Sequence, residues 1–477
     1  MNLQATIAAV KKGEVKAEER VNKFLQVIQS TKEFNAYIKI NDKQAKAKAV
    51  SVDHRIKDGR KTGKLAGCVV AIKDNINIKD QETTCASNIL KGFISPYSAT
   101  VIEKLEQEDA IIIGKTNHDE FAMGSSDENS CFGPVKNPHD PKRVPGGSSG
   151  GSAVAVALDT VDVALGSETG GSVRQPAGLT GITGLKPSYG RVSRYGLVAF
   201  ASSLDQISPF AKDTADLAVL FNVIAGHDER DSTSAEIEVP DYSAYLNKDV
   251  KGMKIGIPKE YFADGLDGEI RDGILQIVEQ LKAAGAEIRD VELPLSEYGV
   301  AAYYILATAE ASSNLARYDG VRYGHRNKDK AGLTEMYAQT RNEGFGDEVK
   351  RRILLGTYVL SHGYYDAYYK KAQKVRRLIK NEFDSVFSEV DALITPTTPT
   401  TAFLIGERAD DPLQMYLSDV YTVTANLGGI CALNVRAGKD KNKLPFGLQI
   451  MANQFKEEIL FQIGDFIDRK CTRYQWE

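Results

Sequence analysis

The chain has 477 residues, with 42% hydrophobic and 26% charged content, enough for a sizeable core in one large domain or in a few ordinary ones. Its formal net charge of −4 excludes a global basic field, so a nucleic-acid partner would be met by a local patch or through another subunit. Five scattered cysteines (Cys68, Cys85, Cys131, Cys431 and Cys471) form no CxxC pair, which argues against a disulfide framework or a zinc site and for a reducing compartment.

Residues 3–29 read as two amphipathic helices. Ile7 and Val10 mark the first, and Val21, Phe24, Leu25 and Ile28 mark the second at helical spacing. KQAKAKAVSVDHRIKD (43–58) predicts a third helix with a solvated basic face. The opening stretch is too charged for a secretory signal, and no run of about 18 apolar residues exists, so a cytoplasmic protein, or one of an organelle matrix, is expected. The pattern then changes. GCVVAIKDNINIK predicts a buried strand ending near Lys73, and SATVIEKLEQEDAIIIGKTN predicts a helix and then a strand from Ala110 to Gly114. MKIGIP and AEIRDVELP read as strands around the helix GEIRDGILQIVEQLKAAG, which Gly285 should stop. From about 299 to 390 the chain is mostly helical and rich in tyrosine. DALITPTTPT is a further buried strand, and LPFGLQIMAN and EEILFQIGDFIDR close as strand and helix. Strands alternating with helices predict an α/β sheet, largely parallel. Without a repeat or a linker, residues 1–477 read as one domain, with N-terminal helices to about residue 60 and the helical region over 299–390.

One segment stands apart. Eleven of the 41 glycines fall between Gly146 and Gly190. Glycine admits positive φ and close approach to the main chain. A flexible Gly/Ser linker would share that composition, but the intervening SAVAVALDTVDVALG is strongly apolar, as a linker would not be.

Three side chains could carry chemistry. Lys73 ends the apolar run Val69-Val70-Ala71-Ile72; it either snorkels to solvent or is buried with a lowered pKa and serves as a base near neutrality. V-A-I-K also occurs in kinases, but no upstream G-x-G-x-x-G and no downstream HRD or DFG accompany it. Ser149 fits a G-x-S-x-G nucleophile elbow, yet a polar, proline-rich loop precedes it where a buried strand is needed. Ser172, after Thr169-Gly170-Gly171, is the better nucleophile, because successive small residues could aim several N–H groups at one point; an ordinary helix N-cap is the alternative.

GGSSGGS (146–152) and GSETGGSVRQPAGLTGITGLKPSYGRVSRYG (166–196), with Lys73 lying 75 residues before Ser148 and Ser172 lying 24 after it, resemble the amidase signature family. The resemblance implies a large mixed β-sheet covered by helices on both faces. It also implies a Lys73–Ser148–Ser172 triad: Ser172 as nucleophile, Ser148 as bridge after a cis peptide bond, and Lys73 as base. The oxyanion donors map to the main-chain N–H groups around Thr169, Gly170, Gly171 and Ser172.

A narrower resemblance is carried by residues 117–140, 310–326, 348–376 and 411–430, and is to the glutaminase subunits of tRNA-dependent amidotransferases. It implies that glutamine is hydrolysed to glutamate and ammonia. A companion subunit would use ATP and magnesium to amidate Glu-tRNA(Gln), and often Asp-tRNA(Asn), with a small linking subunit completing a heterotrimer. No metal or cofactor is implied on this chain, and tRNA would be met mainly through the companion. Arg352 is implied to pair the α-carboxylate of glutamine and Asp419 its α-ammonium, with Tyr303 nearby; otherwise Arg352 would be a surface charge beside Arg351, and Asp419 a helix-face carboxylate. Glu168 departs from the aspartate common in the family, and 426–438 and 443–455 depart from the usual wording near the pocket. A stand-alone amidase acting on another small amide would share the triad but need neither Arg352 nor Asp419. A non-catalytic scaffold would need no intact triad.

Overall fold

The computed structural model describes residues 2–329 and 332–472. The pleat of one short strand explains how the fold builds its site. In Val69–Lys73, side chains alternate between two apolar clusters. Val69 and Ala71 pack with Ala164 and Phe210 and with Ala153, Val156 and Ala177 of the helices Gly150–Ala157 and Arg174–Thr180. Val70 and Ile72 join the larger cluster, which includes Leu217 and Phe221 of the helix Thr214–Ile224. Lys73 continues the first face, so the alternation carries its amine toward the start of the Gly150–Ala157 helix.

The strands are β1 (Tyr37–Ile40), β2 (Val69–Lys73), β3 (Ile111–Thr116), β4 (Val163–Glu168), β5 (Thr183–Lys186), β6 (Gln206–Ala211), β7 (Lys254–Pro258), β8 (Glu287–Val291), β9 (Ala392–Pro396), β10 (Cys431–Lys439) and β11 (Pro445–Ala452). Among the described residues they form one eleven-stranded sheet in the order β1-β3-β2-β4-β6-β5-β10-β11-β9-β7-β8. The expectation of a largely parallel sheet is corrected. Only β2–β3, β2–β4, β7–β8 and β7–β9 are parallel, and the remaining pairs are antiparallel. The alternation of strand and helix holds at the two ends of the sheet. Its centre is closed by β5, β6 and β10, which pair antiparallel with one another and with β4 and β11. The mixed sheet is the one implied by the family resemblance, and helices cover it.

The expected helices form at Leu3–Lys11, Ala17–Ser30, Asp42–Lys57, Thr100–Gln107, Gly268–Ala283 and Glu457–Phe466. Gly285 adopts φ +96° just past the Gly268–Ala283 helix, the left-handed stop that glycine makes without a Cβ clash. The helical region supplies Gly299–Asn314, Asp347–Val359 and Lys370–Val386. The first two cross so closely that a β-carbon on Gly356 would lie 1.9 Å from the Thr308 carbonyl oxygen. Among the described residues, no helix is long and apolar enough to cross a membrane.

Candidate active site

Lys73 is fully buried, not snorkelling. Its Nζ donates to Ser148 Oγ and to Ser149 Oγ, each at 2.8 Å. Burial pushes the amine down to about 7, and Asp127, Asp119 and Asp205 restrain the fall by favouring its charged form. The Gly147–Ser148 peptide is cis. Ser149 is not set at a strand-to-helix elbow. It N-caps the Gly150–Ala157 helix, its hydroxyl donates to the Ser167 carbonyl at 3.0 Å, and it accepts the Ser167 amide at 3.3 Å. With Lys73 also donating, that hydroxyl is held in place, whereas Ser148 Oγ has only the lysine as its partner among the described residues.

Ser172 is 7% exposed, and its carbonyl accepts the Ser149 amide at 3.1 Å, which ties the two glycine-rich loops together. Ser172 is not an N-cap; Val173 occupies that position of the Arg174–Thr180 helix. The first link of the expected triad, Lys73 to Ser148, is made as a hydrogen bond; none joins the hydroxyls of Ser148 and Ser172. Among the described residues, the N–H groups of Thr169, Gly170, Gly171 and Ser172 donate to no protein acceptor. Gly171 has φ +149°, and a β-carbon there would lie 2.3 Å from Thr422 Oγ1 and 3.2 Å from Asp419 Oδ1. Only glycine lets this loop lie so close to the 419–422 turn, and Thr422 Oγ1 fastens the contact by donating to the Gly170 carbonyl at 2.6 Å.

The expected substrate-binding charges are buried, not on the surface. Arg352 is 2% exposed and Asp419 6%. The Arg352 guanidinium carbon lies 5.3 Å from the Tyr304 ring centre and 5.6 Å from those of Phe200 and Tyr416. Its Nε donates to Glu348 Oε1 at 2.8 Å, while its two terminal nitrogens have no protein hydrogen bond among the described residues. Burial alone would weaken the proton's hold on Arg352; Glu348 and the surrounding tyrosines outweigh it and raise the pKa further. Asp419 accepts the Ser125 hydroxyl at 2.6 Å and the Tyr304 hydroxyl at 3.3 Å, and burial pushes it up to about 7. Tyr303 packs its phenol over Gly170, where a β-carbon would sit 2.5 Å from Cζ. The tyrosine hydroxyl bonded to Asp419 is that of Tyr304.

Several supporting residues carried no legible signal. Gln175 accepts the Gly147 amide and donates to the Ser125 carbonyl, both at 2.9 Å, joining the relay loop to the support of Asp419. Asp205 accepts Thr169 Oγ1 at 2.7 Å together with the amides of Phe200 and Ala201, which fixes the ring beneath Arg352; burial raises its pKa to about 6. Glu168 spans the nucleophile loop. Its carboxylate accepts the amides of Val173 and Arg174 at 3.0 Å and Arg174 Nε at 2.6 Å. The extra methylene relative to aspartate is thus absorbed in a buried ion pair behind Ser172. The 426–438 departure lies in Val423–Gly428 and β10, where Asn426 accepts from Arg174 at 2.6 Å.

The profile of the family described as Amidase matches residues 19–461. A glutamyl-tRNA(Gln) amidotransferase subunit of Koribacter versatilis (strain Ellin345) is 54% identical over 98% of both chains. The protein of the same name from Synechococcus sp. (strain RCC307) is 54% identical over 97% of this chain and 96% of its own. Among solved structures, that of the equally named Thermotoga maritima protein is 42% identical, with a TM-score of 0.80 over 95% of this chain and 92% of that one. A peptide amidase, PAM, is 29% identical with a TM-score of 0.85 over 100% and 98%. The fold is thus shared with amidases of different names, and sequence identity favours the amidotransferase subunits. With a family profile over most of its length, and a lysine–serine pair buried between two glycine-rich loops, this chain belongs to the amidase family.

Proposed function

We propose that this chain is the glutamine-hydrolysing subunit of a tRNA-dependent amidotransferase. The single observation that carries the reading is the buried Lys73–Ser148 hydrogen bond together with a buried cation, Arg352, and a buried anion, Asp419, the anion packed against Gly171 next to Ser172. Lys73, Ser148 and Ser172 suit any amide. Arg352 and Asp419 suit only an amide that carries both an α-carboxylate and an α-ammonium. The open face of Arg352 offers a planar fork for the carboxylate. An arriving ammonium favours the charged form of Asp419.

Neutral Lys73 takes a proton from Ser148 as Ser148 takes one from Ser172, and Ser172 Oγ attacks the side-chain amide carbon. The oxyanion accepts from the unpaired N–H groups between Thr169 and Ser172. The relay returns the proton to the departing nitrogen, which leaves as ammonia, and water then releases glutamate from the acyl-enzyme. The ammonia serves a companion subunit that uses ATP and magnesium to amidate Glu-tRNA(Gln), and Asp-tRNA(Asn) in some hosts. A small linking subunit completes the heterotrimer. The companion and not this chain holds most of the tRNA, consistent with a net charge of −4. One sheet drawing strands from residues 37–452 supports reading the chain as one domain.

Gentle affinity purification from the host, with mass spectrometry of what accompanies the chain, tests the proposal. The expected result is two stoichiometric companions, one large and able to bind tRNA and ATP and one small, in a complex that hydrolyses glutamine. A chain that elutes alone and hydrolyses other amides would instead identify a stand-alone amidase.

A further inference from the structure

The relay and the charge clamp sit on different elements, and one residue pair bonds both to the relay loop and to the start of the helix that carries Arg352. Asp119 donates its amide to the Ser148 carbonyl at 3.2 Å. The next residue, Glu120, is 3% exposed, and its carboxylate reaches the helical region. Glu120 Oε1 accepts the Ser87 hydroxyl, and Oε2 accepts the Gly346 amide at 2.8 Å. Gly346 N-caps the Asp347–Val359 helix, which carries Glu348 and Arg352. The fit leaves no slack: a β-carbon on Gly346 would lie 2.5 Å from Glu120 Oε2. Phe121 and Ala122, just beyond, hold φ values of 49° and 61°. Non-glycine residues keep such a conformation where their surroundings fix it. This is a braced turn, pinned on one side to the relay and on the other to the start of a helix.

We infer that Glu120 is a positioning residue for the amino-acid end of the substrate: it seats the Asp347–Val359 helix on the relay loop and so sets where Arg352 stands relative to Ser172. The inference rests on the reading of Arg352 as the α-carboxylate partner. Arg352 lies six residues beyond Gly346, about 9 Å along the helix axis. A helix behaves as a rod over that length, so a displaced start displaces the guanidinium. A misplacement of about 1 Å is enough to cost on the order of 100-fold in a reaction that depends on orientation.

The test compares wild type, Glu120→Ala and Glu120→Gln in the complex as purified. It reads ammonia release from glutamine and from propionamide, and hydrogen exchange across residues 345–352. Glu120→Ala is expected to raise KM for glutamine about tenfold or more, with kcat within about threefold, and to change propionamide turnover less than about twofold. Exchange at the helix start should rise. Glu120→Gln keeps an acceptor for the Gly346 amide and should recover most of the KM. Equal losses on both amides, or an unchanged KM for glutamine in the alanine variant, would overturn the inference. If wild type hydrolyses propionamide but not glutamine, the functional reading has failed, and hydrogen exchange decides the inference: unaltered protection at 345–352 in Glu120→Ala overturns it, and raised exchange upholds the seating role.

Discussion

Replacing Lys73 by arginine tests whether burial makes this lysine a base. An ordinary lysine value of 10.5 leaves about 1 amine in 3,000 neutral at pH 7, whereas the value of about 7 leaves roughly half neutral. Burial thus supplies about a thousandfold more free base. Arginine would keep the positive charge and the donors to Ser148 and Ser149, but it cannot give up a proton near neutrality. Lys73→Arg should therefore lose on the order of 1,000-fold or more in kcat/KM at pH 7. The assay is ammonia release from propionamide between pH 5.5 and 9. Propionamide is chosen because Asp419 also titrates near 7 and would add its own limb with glutamine, whereas a substrate without an α-ammonium reports the relay. Wild-type kcat/KM should rise with a slope of one and level off above a midpoint near 7. An arginine variant within about tenfold of wild type, or a wild-type limb centred near 10, would refute the reasoning. The same shift carries a stability cost with a definite sign. The unfolded chain binds the lysine proton up to pH 10.5 and the folded chain only up to about 7. The cost is thus full below pH 7, about 5 kcal/mol on this scale, and fades as pH rises toward 10.5.

Ser172→Ala should lower amide hydrolysis about 1,000-fold or more, while Ser149→Ala, which removes only one anchor of the lysine, should be milder than Lys73→Ala; the reverse order in ammonia-release assays would return the nucleophile to Ser149. Arg352→Ala should raise KM for glutamine far more than for propionamide, and equal effects would remove its carboxylate role. Glu168→Ala leaves Arg174 buried without its anion and should cost about 3–5 kcal/mol in denaturant unfolding; a change below about 1 kcal/mol would show that Gln449, Asn426 and the Thr422 carbonyl suffice for Arg174. Below pH 7 Asp419 loses its charge, so KM for glutamine should climb as pH falls from 7 to 5.5 while KM for propionamide stays flat. Parallel profiles would remove Asp419 from ammonium binding.

β1, β4 and β10 did not read as strands; β2, β3, β7, β8, β9 and β11 were legible because apolar runs between helical patterns leave few alternatives. β6 was not, for it reads QISPFA, and Pro209 inside it argues against a central strand; it is tolerated opposite Leu165 in an antiparallel pair. β5 has four residues inside the glycine-rich segment, too few to show a period. These omissions produced the expectation of a largely parallel sheet. At the site, Lys73 was legible from the apolar run it ends and Ser172 from the small residues before it, whereas Ser148 was legible only through resemblance, the local pattern pointing to Ser149. Arg352 and Asp419 were legible only through resemblance, since nothing local distinguishes a charge that tertiary packing will bury. Gln175, Ser125, Asp205 and Glu120 act through partners far along the chain, with 50 residues separating Gln175 from Ser125 and 226 separating Glu120 from Gly346. Such pairings exist only once the sheet has closed.

The central claim is that Ser172 forms an ester with the glutamyl group of glutamine. Acid-quenching the purified complex during glutamine turnover, then peptide mass spectrometry, tests it directly. The account predicts a glutamyl adduct on the peptide that contains Ser172, absent when Ser172 is alanine. Turnover with the adduct on another residue, or unimpaired turnover in the alanine variant, would contradict it.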